Sequence, residues 1–221
     1  MATYNGDMTI ERQLDSIVTQ LSKDDEIIIV DDGSTDATRT LIKQYQAAKY
    51  PAIKLIVNEN NLGPIKSFEK ALQLAQGDYI FLSDQDDIWN ANKVESVMSA
   101  FDEGADLVVH DGVVVDGELN IIDKSWNHYN GNNVAQGLFG NLIKNGYTGA
   151  MMAISKRMIA TATPFPEDIS MHDQWLFVVA KMRHLKIVII EEPLMQYVRH
   201  GNNATGMQRR KKSEMLSDRV K

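Results

Sequence analysis

The stretch Asp78-Tyr79-Ile80-Phe81-Leu82-Ser83-Asp84-Gln85-Asp86-Asp87-Ile88-Trp89 decides how this chain folds and where its chemistry sits. Tyr79 to Leu82 is a short run of aromatic and branched apolar residues, the pattern of a buried strand. Asp84, Asp86 and Asp87 follow it with no basic residue among them. Carboxylates crowded at a strand end repel one another, so a cation should neutralise them. Oxygen-only ligands suit Mg²⁺ or Mn²⁺, which commonly bind through one or two carboxylates plus substrate phosphates. The plainer alternative is a solvated acidic turn. What weighs against it is a second acidic strand end upstream.

That second end is Asp31-Asp32. Glu26 to Val30 predicts a strand, and Ile27 to Val30 is apolar on both faces, as in the middle of a parallel sheet covered on both sides. Gly33 permits a tight turn, and Ser34 or Asp36 can cap the next helix, which carries Leu41, Ile42 and Tyr45. Before it, Ile10, Leu14, Ile17, Val18 and Leu21 recur at helical spacing. After it come a strand at Ile53 to Val57, a polar loop at Asn58 to Pro64, and a helix from Ile65 to about Gln76 with Gly77 past its end. Strand and helix alternate through Trp89, which implies right-handed crossovers and a mainly parallel sheet flanked by helices. In open sheets of this kind, ligands bind beyond the carboxyl ends of the strands. Asp31-Asp32 and Asp84-Gln85-Asp86 should therefore face one crevice.

The second half has a different texture. Asn92 to Phe101 predicts a helix, Asp106 to His110 a strand, and Val113 to Ile122 a hairpin or meander around Asp116-Gly117. Residues 123–133 show no period and read as a loop, and a helix is expected near Val134 to Lys144. Small residues from Gly146 to Ala153 would let a ligand or another backbone approach closely. His172-Asp173-Gln174-Trp175 opens an apolar helix, and strands are expected at Ile187–Ile190 and Leu194–Val198, either side of Pro193.

With 221 residues the chain can build one large domain or two small ones. A net charge of −7 argues against nucleic acid as the partner. The absence of cysteine excludes disulfides and thiolate chemistry. No apolar run approaches the ~18 residues that cross a bilayer, and the N-terminus lacks a signal-peptide pattern. A cytoplasmic protein is expected. The basic cluster Arg209-Arg210-Lys211-Lys212 can favour the inner, anionic face of a membrane, or can simply be a solvated helix.

Two further residues could do chemistry. Asp173, near a helix N-terminus, is either a first-turn acid or a general base taking a proton from an attacking hydroxyl. His200, in a polar loop after a strand, is either structural or a metal or phosphate ligand. A phospho-accepting receiver domain also carries an acidic pair at a strand end. It would need a Lys on a late strand, where this chain has Arg199-His200.

Taken together, Ala2-Thr3-Tyr4-Asn5-Gly6, Val30-Asp31-Asp32-Gly33-Ser34-Thr35-Asp36, Asn58 to Gly63, Ser83 to Trp89, Gly146 to Met152, His172-Asp173-Gln174-Trp175 and Tyr197 to Asn203 resemble a family 2 glycosyltransferase of the GT-A fold. The resemblance is to bacterial members that build cell-surface polysaccharide, rhamnosyltransferases included. It implies a single α/β domain. Residues 1–89 would form the nucleotide-sugar half, 90–206 the acceptor and catalytic half, and 207–221 a basic tail. It also implies inverting transfer from a nucleoside diphosphate-sugar (UDP- or dTDP-linked) to a hydroxyl of a glycan or lipid-linked glycan. By motif position, Thr3, Tyr4, Asp32 and Asp84 would bind the nucleotide-sugar, Asp86 and His200 the Mn²⁺ or Mg²⁺, and Asp173 would be the base. Family members usually begin with more apolar residues that complete a first strand, so exposed pairing edges are expected beside Met1. A truncated, inactive nucleotide-sugar binding module is the alternative reading.

Overall fold

A computed structural model describes residues 1–50 and 52–199. The first half runs β1 (Ala2–Thr3), α1 (Ile10–Val18), β2 (Ile27–Asp31), α2 (Thr38–Ala48), β3 (Ile53–Val57), α3 (Pro64–Leu74), β4 (Tyr79–Phe81) and β5 (Ile88–Trp89). The second half runs α4 (Lys93–Asp102), β6 (Leu107–Val115), β7 (Ile121–Asp123), α5 (Trp126–Asn130), α6 (Leu138–Ile143), β8 (Met152–Ser155), α7 (Lys156–Ala162), α8 (His172–Met182) and β9 (Ile187–Val198).

Continuous apolar strands and amphipathic helices produce the α/β architecture expected of the sequence. β1, β2 and β3 form a parallel three-stranded sheet, and every residue of β2 is buried. α1 buries Ile10, Leu14 and Ile17, the apolar stripe of its sequence, in the cluster that also holds Ile27, Ile29 and Ile53. The second sheet is ordered β4-β8-β6-β9-β5, with β7 alongside β6. Within it β6 and β9 pair in parallel, whereas β4–β8, β6–β8, β5–β9 and β6–β7 are antiparallel. The parallel character inferred from strand–helix alternation thus belongs mainly to the first sheet.

β1 pairs with β2 at Ala2 and Thr3, preceded by Met1, whose amino group donates to the Ile28 carbonyl and whose carbonyl accepts the Val30 N–H, and β4 pairs with β8 at the end of the other sheet. Between β2 and β4 lies a cavity of about 670 Å³, lined among others by Ile27, Ile28, Leu72, Ile80 and Phe81. β4 is accordingly less buried than its apolar run suggests: Tyr79 is 39% exposed, and only Leu82 beyond it is fully enclosed.

Other departures have local causes. β9 is one strand, not two. Pro193 lies opposite Asp111, where the β6–β9 register shifts, and an irregularity of this kind accommodates a residue without an N–H. The stretch 123–133 contains a short helix, α5. Ser125 caps it by accepting the His128 N–H, and Asp111 accepts both the Ser125 hydroxyl and the Asn127 N–H. Five residues are too few to show a period. Ser34 does not cap α2, because its hydroxyl is given to Asp31; Asp36 accepts the Thr38 N–H instead. Gly77 plays no cap role, since α3 ends at Leu74 with Ala75 extended.

α8 carries the second core. Leu176, Phe177, Val179 and Ala180 pack with Phe68, Leu72, Leu107 and Ile154. This packing fixes the N-terminal turn of α8, and Asp173 with it, against the turn at Gly149–Met151.

Candidate active site

At the end of β2, two carboxylates are fully engaged. Asp31 accepts from the Ser34 N–H at 3.1 Å and from the Ser34 and Thr3 hydroxyls. Asp32 accepts from Asn58 Nδ2 at 2.9 Å, from the Leu62 N–H at 2.8 Å and from the Gly63 N–H at 2.8 Å. It anchors the polar loop at 58–63. A carboxylate offers about four acceptor positions, so little of Asp32 remains for a ligand. Thr3 is buried on β1, and Tyr4 is 47% exposed.

The acidic stretch after β4 is held beside this end. Gln85 accepts the Tyr4 N–H at 2.8 Å and donates to the Tyr4 carbonyl at 3.1 Å. Gln13 donates to the Ser83 hydroxyl, and Arg12 donates to the Asp86 carbonyl. The acidic stretch after β4 is thus tied to the end of β1, the neighbour of β2, although β2 and β4 belong to different sheets. The two acidic ends differ in their electrostatics. The Asp84 carboxyl is pushed up to about 7, first by burial, then by the charges of Asp86 and Asp173. Asp87 is raised well above the usual carboxylate range, by burial and then by Asp86 and Asp84. One Asp87 oxygen accepts the Val198 N–H, and the other is buried with no hydrogen-bond partner among the described residues.

Asp173 lies in the opening turn of α8. Its Oδ1 accepts from Asn145 Nδ2 at 2.8 Å and from the Gln174 N–H, and its Oδ2 accepts the Gly149 N–H at 3.1 Å. It is 5% exposed, and its charge is felt at Asp84. Gly149 is required by the close packing: a Cβ there would lie 2.4 Å from His172 Nε2. His172 is buried, stacked on Phe68 at 4.1 Å, and neither ring nitrogen has a partner among the described residues. Burial lowers its proton affinity, so its ring stays neutral at neutral pH. The small-residue run at 146–153 thus serves close approach, by His172 and by the Asp173 carboxylate.

Sequence reasoning missed Lys93. Its side chain is buried, and its Nζ donates to the Ala150 carbonyl at 3.0 Å and lies 4.2 Å from the centre of the Trp89 ring. Lys93 falls on the buried stripe of α4 with Val97 and Ala100. A lysine at core spacing was the available signal. Gln85 and Asn145 gave none, because their partners are remote in sequence.

Oxygen donors and excess negative charge at residues 84–87 fit a divalent cation held partly by substrate phosphates. No group of three or more acidic or histidine side chains among the described residues forms a complete protein cage. His200 and the basic cluster at 209–212 lie outside the described residues. Among the described residues no helix is long and apolar enough to cross a membrane.

The model of the family "Glycosyl transferase family 2" matches residues 1–161. The chain belongs to glycosyl transferase family 2. A relative, the dTDP-rhamnosyl transferase RfbG of Shigella flexneri, is 30% identical over 93% of this chain and 73% of its own length. A crystal structure of S. aureus TarS 1-349 in complex with UDP-GlcNAc shares the fold, with a TM-score of 0.70 and 23% identity over 90% of this chain and 57% of that one. So does the mannosyltransferase PcManGT of Pyrobaculum calidifontis in complex with GDP-Man and Mn²⁺, with a TM-score of 0.64 and 20% identity over 92% of this chain and 56% of that one.

Proposed function

We propose that this glycosyltransferase moves a sugar from a nucleoside diphosphate-sugar, UDP- or dTDP-linked, to an acceptor hydroxyl with inversion, in the assembly of a bacterial surface polysaccharide. The observation that carries the reading is the buried Asp173 carboxylate, held by the Asn145 amide and the Gly149 N–H, whose charge acts on Asp84 at the acidic strand end. Residues 89 positions apart share one field, which raises the Asp84 carboxyl. RfbG, by its name a dTDP-rhamnosyl transferase, supports the donor class.

In this reading Thr3 and Tyr4 border the nucleoside, and Asp32 shapes its pocket through the 58–63 loop. Asp84 and Asp86 face the diphosphate and would hold Mn²⁺ or Mg²⁺, with His200 as a further ligand. When bound, the cation supplies charge neutralisation for the leaving diphosphate. The acceptor oxygen forms a bond to the anomeric carbon as the bond to the diphosphate oxygen breaks on the opposite face. Asp173 takes the acceptor proton. Asn145, Gln174 and Gly149 keep the Asp173 carboxylate aimed through donated hydrogen bonds. Inversion requires only this one base.

Asp173→Asn tests the assignment. It is expected to keep metal-dependent nucleotide binding within about threefold and to lower turnover by ~10²–10⁴, the span of general-base contributions. Transfer at the wild-type rate would remove Asp173 from the role. Nucleotide-sugar binding by wild type without any transfer, across a panel of acceptors, would favour the inactive binding module.

A further inference from the structure

Exposed apolar side chains scattered singly over a surface need no explanation, but a cluster on one helix face does. Phe139, Leu142 and Ile143 stand at i, i+3 and i+4 of α6 and so share one face. Phe139 is 82% exposed and Ile143 71%, with Leu142 exposed between them. The rest of the helix is committed to the site. Asn141 is buried, and its carbonyl accepts from Gln174 Nε2 at 2.6 Å. Asn145, just past the end of α6, donates to Asp173. The apolar ridge therefore rides on the element that supports Asp173.

Charge and area indicate what covers the ridge. From Lys124 to Pro166, a stretch that holds α5 and α6, the chain carries no Asp or Glu, in a protein of net charge −7. Lys144 follows Ile143 and is exposed; its ammonium donates to the Asn130 and Gly131 carbonyls and forms no ion pair among the described residues. An apolar ridge beside an uncompensated cation suits an anionic lipid surface, where the side chains enter the acyl boundary and the cation stays among the headgroups. A second copy of the chain fits less well. Three side chains of this size offer roughly 300–500 Å², short of the ~800 Å² per partner of a standard protein interface.

We propose that α6 is a membrane-contact wedge. It seats the Asp173 side of the site on an anionic bilayer, so that a hydroxyl carried by a lipid-anchored acceptor arrives at that carboxylate. The arrival of the acceptor there rests on Asp173 being the base; contact of α6 with the bilayer does not. Vesicle binding through α6 without any sugar transfer would therefore overturn the transfer chemistry and leave the wedge standing.

The experiment uses the full chain with vesicles of phosphatidylethanolamine and phosphatidylglycerol, against vesicles of phosphatidylcholine alone. Wild type should sediment with the anionic vesicles, and Phe139→Ser/Ile143→Ser should lower its partition coefficient at least ~tenfold. The melting temperature should stay within ~2 °C, since both side chains are exposed in the free protein. The double variant keeps Arg209-Arg210-Lys211-Lys212, so undiminished binding would assign membrane contact to that cluster and overturn the wedge. So would a wild type that binds no vesicle, or a wild-type dimer in sedimentation velocity that the double variant loses, which would make the ridge an interface between copies. A second measurement locates the contact. The chain has no cysteine, so a single introduced one takes a polarity-sensitive dye without competition. The dye on Phe139→Cys should brighten on anionic vesicles, whereas on Lys43→Cys, at an exposed position of α2, it should not. If the double variant melts lower than expected, the labelled variants decide: no response at 139, or an equal response at 43, contradicts the wedge.

Discussion

After β2, every carboxylate oxygen of Asp31 and Asp32 accepts a hydrogen bond from its own turn, from β1 or from the 58–63 loop. After β4, Asp87 keeps a buried oxygen with no partner among the described residues, and burial and mutual repulsion hold Asp84 and Asp87 above the usual carboxylate range. The two strand ends look alike as strings of letters, and Gln85 links the second to Tyr4 at the end of β1, the strand next to β2. Their chemistry is opposite. The first spends its charge on holding a loop. The second crowds buried carboxyls that hold their protons above the usual range. A carboxylate saturated by backbone N–H groups supports architecture; one held in excess is where a cation or a diphosphate–metal complex gains most.

Replacing Asp32 by Ala probes the saturated end, with the largest expected effect on stability. It leaves the Leu62 and Gly63 N–H groups and Asn58 Nδ2 without their acceptor. The expected loss is ~2–4 kcal/mol, or roughly 5–15 °C in a melting curve. A loss below ~1 kcal/mol would mean the anchor is not structural.

Asp84→Asn probes the strained end and should act in the other direction. The folded Asp84 carboxyl sits near 7 against an ordinary value of 3.8, so between those pH values the native state holds a proton that the unfolded chain has released. Stability from this group falls as pH rises through that window. Asparagine removes the dependence. At pH 8 without metal the variant should melt ~3–6 °C above wild type, converging with it toward pH 4, while Mn²⁺-dependent nucleotide binding is lost. A variant less stable than wild type at pH 8 would show that the Asp84 charge is already compensated.

Gln85→Ala should have the smallest effect. It removes two partly exposed hydrogen bonds between the ends, for ~0.5–1.5 kcal/mol. Nucleotide affinity should fall more than stability does, because the two ends lose their registration. Unchanged affinity would separate them functionally.

The legibility of these features in the sequence followed the range of the interactions involved. The strand–helix alternation of residues 1–89 was readable because periodicity is local, and so were the acidic motifs as strand ends. A single sheet carrying both ends was expected, but β2 and β4 lie in different sheets, and Gln85 reaches across to Tyr4 beside β1. What stayed hidden depended on partners far along the chain. Asp32 reads as a free ligand until the loop at 58–63 folds back on it. Lys93 reads as an ordinary first-turn residue until α4 packs and turns its stem inward. β9 continues past Pro193 only because β6 offers an irregular partner there. Asp173 gained its neighbours Asn145 and Gly149 from a turn with no secondary-structure period of its own.

The most direct test of the account is the melting temperature of wild type and Asp86→Ala against UDP and dTDP, each with Mn²⁺ and with chelator. The account predicts that one nucleotide with Mn²⁺ stabilises wild type by ~2.7 kcal/mol at 100 times its Kd, roughly 5–10 °C, and that chelator or Asp86→Ala abolishes the shift. An equal shift in chelator, or in Asp86→Ala, would contradict the claim that the acidic end after β4 receives the ligand's charge through a metal.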